Sequence, residues 1–140
     1  MNRRGVHLKL EKLEQFQSSP FPVKSPFVLL LVCDVTAISA EVLGEFAETA
    51  LKRGMVYFCA WGPDCERVHD VVDEVVVTGE YEPDDKCIMT TWHAKETLEE
   101  VVNYATGETT DSKDERGLIV VTVANQDWAA TVDRMLVISK

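Results

Sequence analysis

The sequence predicts an α/β fold of three layers, α/β/α. In it, a four-stranded, mainly parallel sheet lies between helices in a doubly wound, Rossmann-like or flavodoxin-like arrangement. The run Phe27–Cys33 is apolar throughout, as is typical of a strand that is buried on both faces. Strand-like apolar runs recur about every thirty residues, which suits one strand–helix unit, and helical spacing of apolar residues fills the intervals. The runs begin near Phe27, Met55, Cys87 and Leu118.

A chain of 140 residues suits one domain with its own hydrophobic core. We expect residues 1–26 to form an N-terminal appendage with a proline-rich connector, and residues 27–140 to form a single α/β domain. The connector, residues 18–26, contains three prolines, which excludes a helix interior or a central strand there.

The appendage itself carries two conflicting patterns. Leu10, Leu13 and Phe16 have the spacing of one side of a short helix. Val6, Leu8 and Leu10 alternate with polar residues, which is the pattern of a half-buried strand. For this part of the appendage we predict the helix.

The first two strand–helix units have clear boundaries. Ser39 can cap the first helix, which ends at Arg53 with Gly54 just beyond it. The second strand, Met55–Trp61, is followed by Pro63, which suits the first position of the second helix. The predicted inner faces are Leu43, Phe46, Ala47, Ala50 and Leu51 for the first helix, and Val68, Val71, Val72 and Val75 for the second.

The remaining units are less regular. An acidic loop, residues 78–86, precedes the third strand, Cys87–Thr91, which is the shortest and least apolar of the four. A polar loop, residues 106–117, precedes the fourth strand, Leu118–Ala124. Helical spacing predicts the third helix from Leu98, Val101, Val102 and Ala105, and the last helix from Trp128, Val132, Met135 and Leu136.

Strands that alternate with amphipathic helices imply right-handed crossovers, a parallel sheet and helices on both faces. For four strands, the simplest doubly wound order is 2-1-3-4, which places the first and most apolar strand inside the sheet. Ligands of such sheets bind beyond the carboxyl ends of the strands, where the strand order reverses. We expect that point between the first and third strands.

Polar and aromatic residues follow the strands at this edge of the sheet. In the assumed order Asp34 lies beside His93, and an Asp–His pair can carry out acid–base chemistry near neutral pH. We therefore predict Asp34 and His93 as catalytic residues. The predicted ligand-binding residues are Thr36, Trp61, Thr91, Trp92 and Asn125.

Structural roles compete with these assignments. Asp34 can solvate the end of a strand or cap the following turn, and His93 can cap the third helix together with Glu96. Cys65 lies near the start of the second helix, a position that lowers the pKa of a thiol, but Asp64 and Glu66 on either side oppose that effect. A structural thiol is the simpler interpretation of Cys65.

The common cofactor and nucleophile motifs are missing from the sequence. It contains no G-x-G-x-x-G, no Walker A motif, no C-x-x-C pair and no G-x-S-x-G. We predict no cofactor and no metal. Four cysteines without a signal peptide favour reduced thiols and a cytoplasmic location.

The net charge of −10 is unevenly distributed. Residues 1–53 have a net charge of +1, whereas residues 54–140 carry seven Lys and Arg against 18 Asp and Glu, a net charge of −11. The acidic part repels phosphate backbones, so we expect no nucleic-acid partner. The longest apolar run, Phe27–Cys33, is too short to span a bilayer, so we expect no membrane association.

Residues 57–70, Tyr-Phe-Cys-Ala-Trp-Gly-Pro-Asp-Cys-Glu-Arg-Val-His-Asp, together with residues 90–93, Thr-Thr-Trp-His, resemble sequence blocks of a small bacterial family of uncharacterised single-domain α/β proteins. The resemblance covers roughly residues 27–138. It implies no activity, cofactor or site residue.

Two hypotheses of function follow. The first is a small binding or interaction module that self-associates as a homodimer or takes a protein or small-molecule ligand, because every standard catalytic and phosphate-binding motif is missing. The alternative is a small-molecule hydrolase or transferase with its site at the carboxyl ends of the first and third strands. That enzyme would use Asp34 and His93, with Trp61 and Trp92 as the apolar walls of its cleft.

Overall fold

The structure, a computed structural model, describes residues 5–20, 26–81, 88–109 and 116–138. In these ranges five parallel strands form one sheet in the order β1-β5-β2-β3-β4. The strands are β1 (Val6–Leu10), β2 (Phe27–Val32), β3 (Met55–Trp61), β4 (Met89–Trp92) and β5 (Gly117–Val123).

In the same ranges the 3-10 helix and the first three α-helices connect successive strands, and a fourth α-helix follows β5. The 3-10 helix, Leu13–Ser18, follows β1. The α-helices are α1 (Ala40–Lys52), α2 (Cys65–Thr78), α3 (Leu98–Glu108) and α4 (Gln126–Ile138). None of the helices found in the described ranges combines the length and the apolar composition that crossing a membrane requires.

The helix boundaries follow from local chemistry. The hydroxyl of Ser39 accepts a hydrogen bond from the Val42 N–H at 3.2 Å, which confirms the predicted cap of α1. Thr97 and Glu100 form a reciprocal capping box at the start of α3. The predicted start of α2 at Pro63 is wrong, because Asp64 adopts a left-handed φ of 66° and the helix begins only at Cys65.

The sheet is covered on both faces, as predicted, because the strand side chains alternate between two apolar layers. Leu29 and Leu31 of β2 face the layer that contains the 3-10 helix, α1 and α2. Val28 and Leu30 face the layer that contains α3 and α4. Each of these side chains is almost fully buried, and burying one contributes about 2 kcal/mol to the free energy of unfolding.

The predicted number and order of strands are wrong. The first predicted strand, β2, is indeed internal, but its neighbours are β3 and β5 instead of β3 and β4. β4 lies at one edge, where a half-polar strand is tolerated: Met89 and Trp92 are 43% and 41% exposed. In β5 every residue after Gly117 is buried, which suits a place beside the centre.

The fifth strand comes from the segment predicted as an appendage. Val6, Leu8 and Leu10 belong to β1, which pairs in parallel with β5, so the strand pattern is correct there and the favoured helix is wrong. The helical spacing is partly confirmed further on, because Leu13 and Phe16 are the buried residues of the 3-10 helix. Residues 21–25 of the connector, residues 82–87 and residues 110–115 lie outside the described ranges, and with them Cys87, residues 82–86 of the predicted acidic loop and half of the predicted polar loop.

Candidate functional site

A change in the face of the sheet on which the following helix packs creates a cleft at the carboxyl ends of the parallel strands β3 and β4. β3 leads to α2 on one face of the sheet, whereas β4 leads to α3 on the other. Two neighbouring parallel strands whose following helices leave on opposite faces have a crevice between their connections. We name this crevice, of about 480 Å³, the β3–β4 cleft. It is lined by Trp61, Gly62, Pro63, Asp64, Cys65, Glu66, His93, Ala94 and Glu96.

The wall after β3 is a tight turn that packs against the end of β2. Gly62 has a φ of +124°, in the region that favours glycine. The Cys33 N–H donates to the Trp61 carbonyl oxygen at 3.1 Å, and the Val35 N–H donates to that of Pro63 at 3.3 Å. These bonds continue the pairing of β2 with β3 beyond the strand ends, so the turn is fixed to the centre of the sheet.

His93 lies on the opposite wall, just after β4. Its N–H donates to the carbonyl oxygen of Ala60 at 2.9 Å, which extends the pairing of β4 with β3. The imidazole Nε2 lies 2.9 Å from the Thr91 hydroxyl, and Nδ1 lies 3.6 Å from a carboxylate oxygen of Glu96. The ring, which is 8% exposed, packs against Tyr104 with 4.8 Å between centroids. His93 is therefore held in place by contacts from β3, β4, α3 and the loop before α3.

Trp61 forms an aromatic wall with a fixed orientation. Its indole Nε1–H donates to the Glu96 carbonyl oxygen at 2.8 Å, which ties the end of β3 to the loop before α3. Its ring meets that of Trp128 edge to face, with 5.2 Å between centroids. The two contacts hold the indole in place without a ligand.

Cys65 lies in the cleft but is not an activated nucleophile. Burial raises the pKa of its thiol above the ordinary value and outweighs hydrogen bonds from backbone N–H groups, including that of His93, which act in the opposite direction. Cys65 is therefore a neutral thiol at neutral pH, and the simpler structural interpretation suits its geometry.

The structure does not bring Asp34 and His93 together. Their expected pairing depended on β2 and β4 being neighbours, and that order is wrong because β3 lies between them. Asp34 is exposed, and its carboxylate accepts a hydrogen bond from the Thr36 N–H at 3.0 Å. Bonds from Thr36 keep the pKa of Asp34 below its ordinary value. Neither Asp34 nor Thr36 lines the β3–β4 cleft.

The other predicted residues are distributed over three places. Trp61 and His93 both line the β3–β4 cleft. Thr91 does not line it, but its hydroxyl lies 2.9 Å from Nε2 of His93. Trp92 lies outside the cleft and packs against the ring of His69, with 4.6 Å between the ring centroids. Asn125 caps α4 by accepting from the Trp128 N–H at 2.9 Å. The cap of α3 is Thr97, so the alternative interpretation of His93 as that cap is wrong.

Asn125 also lines a second crevice, at the carboxyl ends of β1 and β5. We name this crevice, of about 340 Å³, the β1–β5 cleft. It arises in the same way as the first, because β1 continues to the 3-10 helix on one face and β5 continues to α4 on the other. It is lined by Lys9, Leu10, Glu11, Thr122, Ala124, Asn125, Gln126 and Ala129.

Sequence analysis did not find Glu66 and Glu96 as lining residues of the first cleft, nor Lys9 and Thr122 of the second. Glu66 lies in the first turn of α2 and Glu96 in the bend before α3, where acidic residues are common and carry no specific signal. Thr122 did offer a signal, because it is a hydroxyl within the apolar run Leu118–Val123. Lys9 could be placed only once β1 was known to be a strand.

The comparisons with known proteins concern the whole chain. No curated protein matches it, and no solved structure matches it. Among the described residues, no three His, Cys, Asp or Glu side chains are grouped so that they could hold a metal ion. A family profile matches residues 5–137, which includes β1 and so extends further than the resemblance in the sequence. The chain therefore belongs to the family described as Domain of unknown function (DUF7684).

Proposed function

We propose that this domain is a binding module and that the β3–β4 cleft takes a small organic cation. The observation that supports this proposal is the composition of the cleft wall. It combines the indole of Trp61 with the carboxylates of Asp64, Glu66 and Glu96, and none of the described residues that line it is Lys or Arg. A volume of about 480 Å³ lies in the range of small-molecule sites.

The charges in and around the cleft favour a cation over an anion. Asp64 is already paired with Arg67, whose Nε lies 2.8 Å from its carboxylate. Glu66 supplies a second carboxylate, and Glu96 supplies a third, one oxygen of which lies 3.6 Å from Nδ1 of His93. An ammonium group placed against the fixed face of Trp61 gains a cation–π contribution of about 0.5–2 kcal/mol. The net charge of −11 on residues 54–140 attracts cations from solution as well.

The test is isothermal titration calorimetry with tetramethylammonium, choline and spermidine, and with acetate and succinate as anionic counterparts. We expect at least one ammonium compound to bind and the carboxylates not to bind. Glu66→Gln and Glu96→Gln should each weaken the affinity by about three- to tenfold. Glu48→Gln removes an exposed carboxylate from α1, away from the cleft, and serves as the matched control. Carboxylates that bind more tightly than amines, or an affinity unchanged in the Glu66→Gln/Glu96→Gln variant, would contradict the proposal.

A second candidate, self-association, is favoured by the exposed aromatic residue on the edge strand β4. Trp92 is 41% exposed, and an edge strand with an exposed large side chain is a typical surface for pairing with another strand. Light scattering after size exclusion should then give twice the monomer mass of 15.7 kDa. Trp92→Glu should give the monomer, whereas Val77→Glu, at the 73% exposed position on α2, should not change the mass. A monomeric wild-type protein at high concentration would exclude this candidate.

A further inference from the structure

Three side chains from distant parts of the chain form a continuous hydrogen-bonded row beside the β1–β5 cleft. His7 of β1 lies between Thr122 of β5 and Asp133 of α4. Its Nε2 is 2.8 Å from the Thr122 hydroxyl oxygen, and its Nδ1 is 2.7 Å from a carboxylate oxygen of Asp133. The order hydroxyl, imidazole, carboxylate is that of a nucleophile, its base and the group that orients the base.

The charges in the row give each group a definite role. The second carboxylate oxygen of Asp133 lies 2.6 Å from the Lys9 ammonium. Hydrogen bonds from Lys9 and His7 keep the pKa of Asp133 below its ordinary value, so the carboxylate is ionised at neutral pH. Burial lowers the pKa of His7 despite the opposing effect of Asp133, so the imidazole is neutral. His7 then donates from Nδ1 to Asp133, and its Nε2 accepts from the Thr122 hydroxyl.

Thr122, which supplies the hydroxyl of this row, is one of the residues that line the β1–β5 cleft. Thr122 is 2% exposed overall, but it lines the cleft together with Gln126, the first residue of α4. N–H groups in the first turn of a helix have no acceptor within the helix and point away from its start. The cleft thus has a nucleophile on one side and a helix start, a source of donors for a developing oxyanion, on the other.

We propose that Thr122, His7 and Asp133 form an acyl-transfer site that hydrolyses a short-chain carboxylic ester bound in the β1–β5 cleft. The cleft of about 340 Å³ and the buried hydroxyl restrict the substrate to a small acyl group. This site is separate from the proposed cation-binding cleft and does not rest on it.

The reaction needs only the ester and water. The Thr122 Oγ1 attacks the carbonyl carbon of the ester while its proton moves to His7 Nε2. The tetrahedral intermediate then expels the alkoxide, which takes that proton and leaves as an alcohol. Water next attacks the acyl carbon and gives a proton to His7. The bond to Thr122 Oγ1 breaks, the proton returns to that oxygen, and a carboxylic acid is released.

The first experiment uses the wild-type chain and needs no variant to fold. The protein is incubated with diisopropyl fluorophosphate, which phosphorylates hydroxyls activated by a neighbouring base, and the adduct is located by peptide mass spectrometry. We expect the adduct on Thr122. Absence of any adduct on Thr122 would overturn the proposal, and so would an adduct confined to surface hydroxyls.

The second experiment measures hydrolysis of p-nitrophenyl acetate. Thr122→Val and His7→Ala should each lower the rate at least 100-fold, because each removes the nucleophile or its base. Thr122→Ser keeps the hydroxyl, so its rate should lie well above that of Thr122→Val. Thr131→Val, which removes an exposed hydroxyl from α4, is the matched control and should match the wild type. A wild-type rate in folded Thr122→Val or His7→Ala would overturn the proposal.

Asp133 does not touch the substrate in this scheme and is a positioning residue. The hydrogen bond to Asp133 raises the pKa of His7 above the value that burial alone would give. Asp133→Asn should therefore lower the rate and also move the rising limb of the pH–rate profile to lower pH. The side chains that contact or face His7 from β1, β5 and α4 are Lys9, Thr122 and Asp133. The pH–rate profile of Lys9→Met therefore provides a second test. Since Lys9 lowers the pKa of His7, its removal should move that limb to higher pH. Two unchanged profiles would exclude His7 as the base.

Discussion

A Cβ atom on Gly62 would lie 2.3 Å from the carbonyl oxygen of Cys33. The turn after β3 thus packs against the backbone directly after β2 so closely that no side chain fits between them. The φ of +124° at Gly62 independently disfavours every other residue. One wall of the β3–β4 cleft therefore depends on this single position.

Gly62→Ala should destabilise the protein by about 3 kcal/mol, because it adds a steric clash to an unfavourable φ. Urea denaturation measures the change in the free energy of unfolding. Gly44→Ala is the control: Gly44 lies inside α1 with nothing within 4 Å of its added Cβ, so alanine there should stabilise by about 0.5–1 kcal/mol. Equal effects of the two substitutions would contradict the close packing at Gly62.

Leu30→Ala should lower the free energy of unfolding by about 3 kcal/mol. Leu30 is 0% exposed in the central strand, between β3 and β5, so the surrounding side chains cannot move far enough to fill the cavity. Val77→Ala removes apolar carbon at a position that is 73% exposed and should change the value by less than about 0.5 kcal/mol. If Leu30→Ala lowered the free energy of unfolding as little as Val77→Ala does, β2 would not be the central strand.

The stability should fall as the pH is lowered from about 7 to about 5. Burial holds the pKa of His7 below its ordinary value of 6.5. In this interval the unfolded chain therefore binds more protons than the folded one. The contribution of His7 to the free energy of unfolding, which is present above pH 6.5, is lost as the pH falls. Asp133 has a lowered pKa too, but its contribution is lost only below about pH 4.

Urea denaturation at fixed pH values tests this dependence. His7→Gln removes the titrating ring, so the variant should lose less stability between pH 7 and pH 5 than the wild type, whatever its absolute stability. Parallel curves for the two proteins would show that His7 does not titrate differently in the folded and unfolded states.

The thiols of Cys33 and Cys59 should resist alkylation in the folded protein. Burial raises the pKa of both to about 12, so at pH 8 only about one thiol in 10⁴ is the reactive thiolate. Iodoacetamide should modify neither residue without denaturant and both in urea, as read by peptide mass spectrometry. Rapid modification of folded Cys59 would contradict its burial in the sheet.

Local elements could be predicted from the sequence because each depends on neighbours a few residues away. The inner face of α1 was predicted residue by residue, since one cap and one apolar stripe determine it. Strand order depends instead on which distant strands pair. Periodicity does not contain that information, although the polar character of β4 was a usable hint that it lies at an edge.

The candidate site was predictable only in part for the same reason. Trp61, the last residue of β3, and His93, the first residue after β4, lie at the carboxyl ends of their strands and share a cleft. The pairing of Asp34 with His93 failed because it assumed adjacent strands. The His7–Thr122–Asp133 row joins residues separated by 115 and 126 positions, and no local pattern indicates such a contact.

The pairing of β1 with β5 has a consequence for synthesis on the ribosome. His7 leaves the ribosome long before Thr122, its contact 115 residues later, has been translated. β2 and β3 can pair meanwhile, because a single helix connects them. Contacts of such long range close late and slow folding. Throughout translation β1 therefore has to remain soluble without its partner, and the charges of Lys9 within the strand and Glu11 directly after it suit that period of exposure.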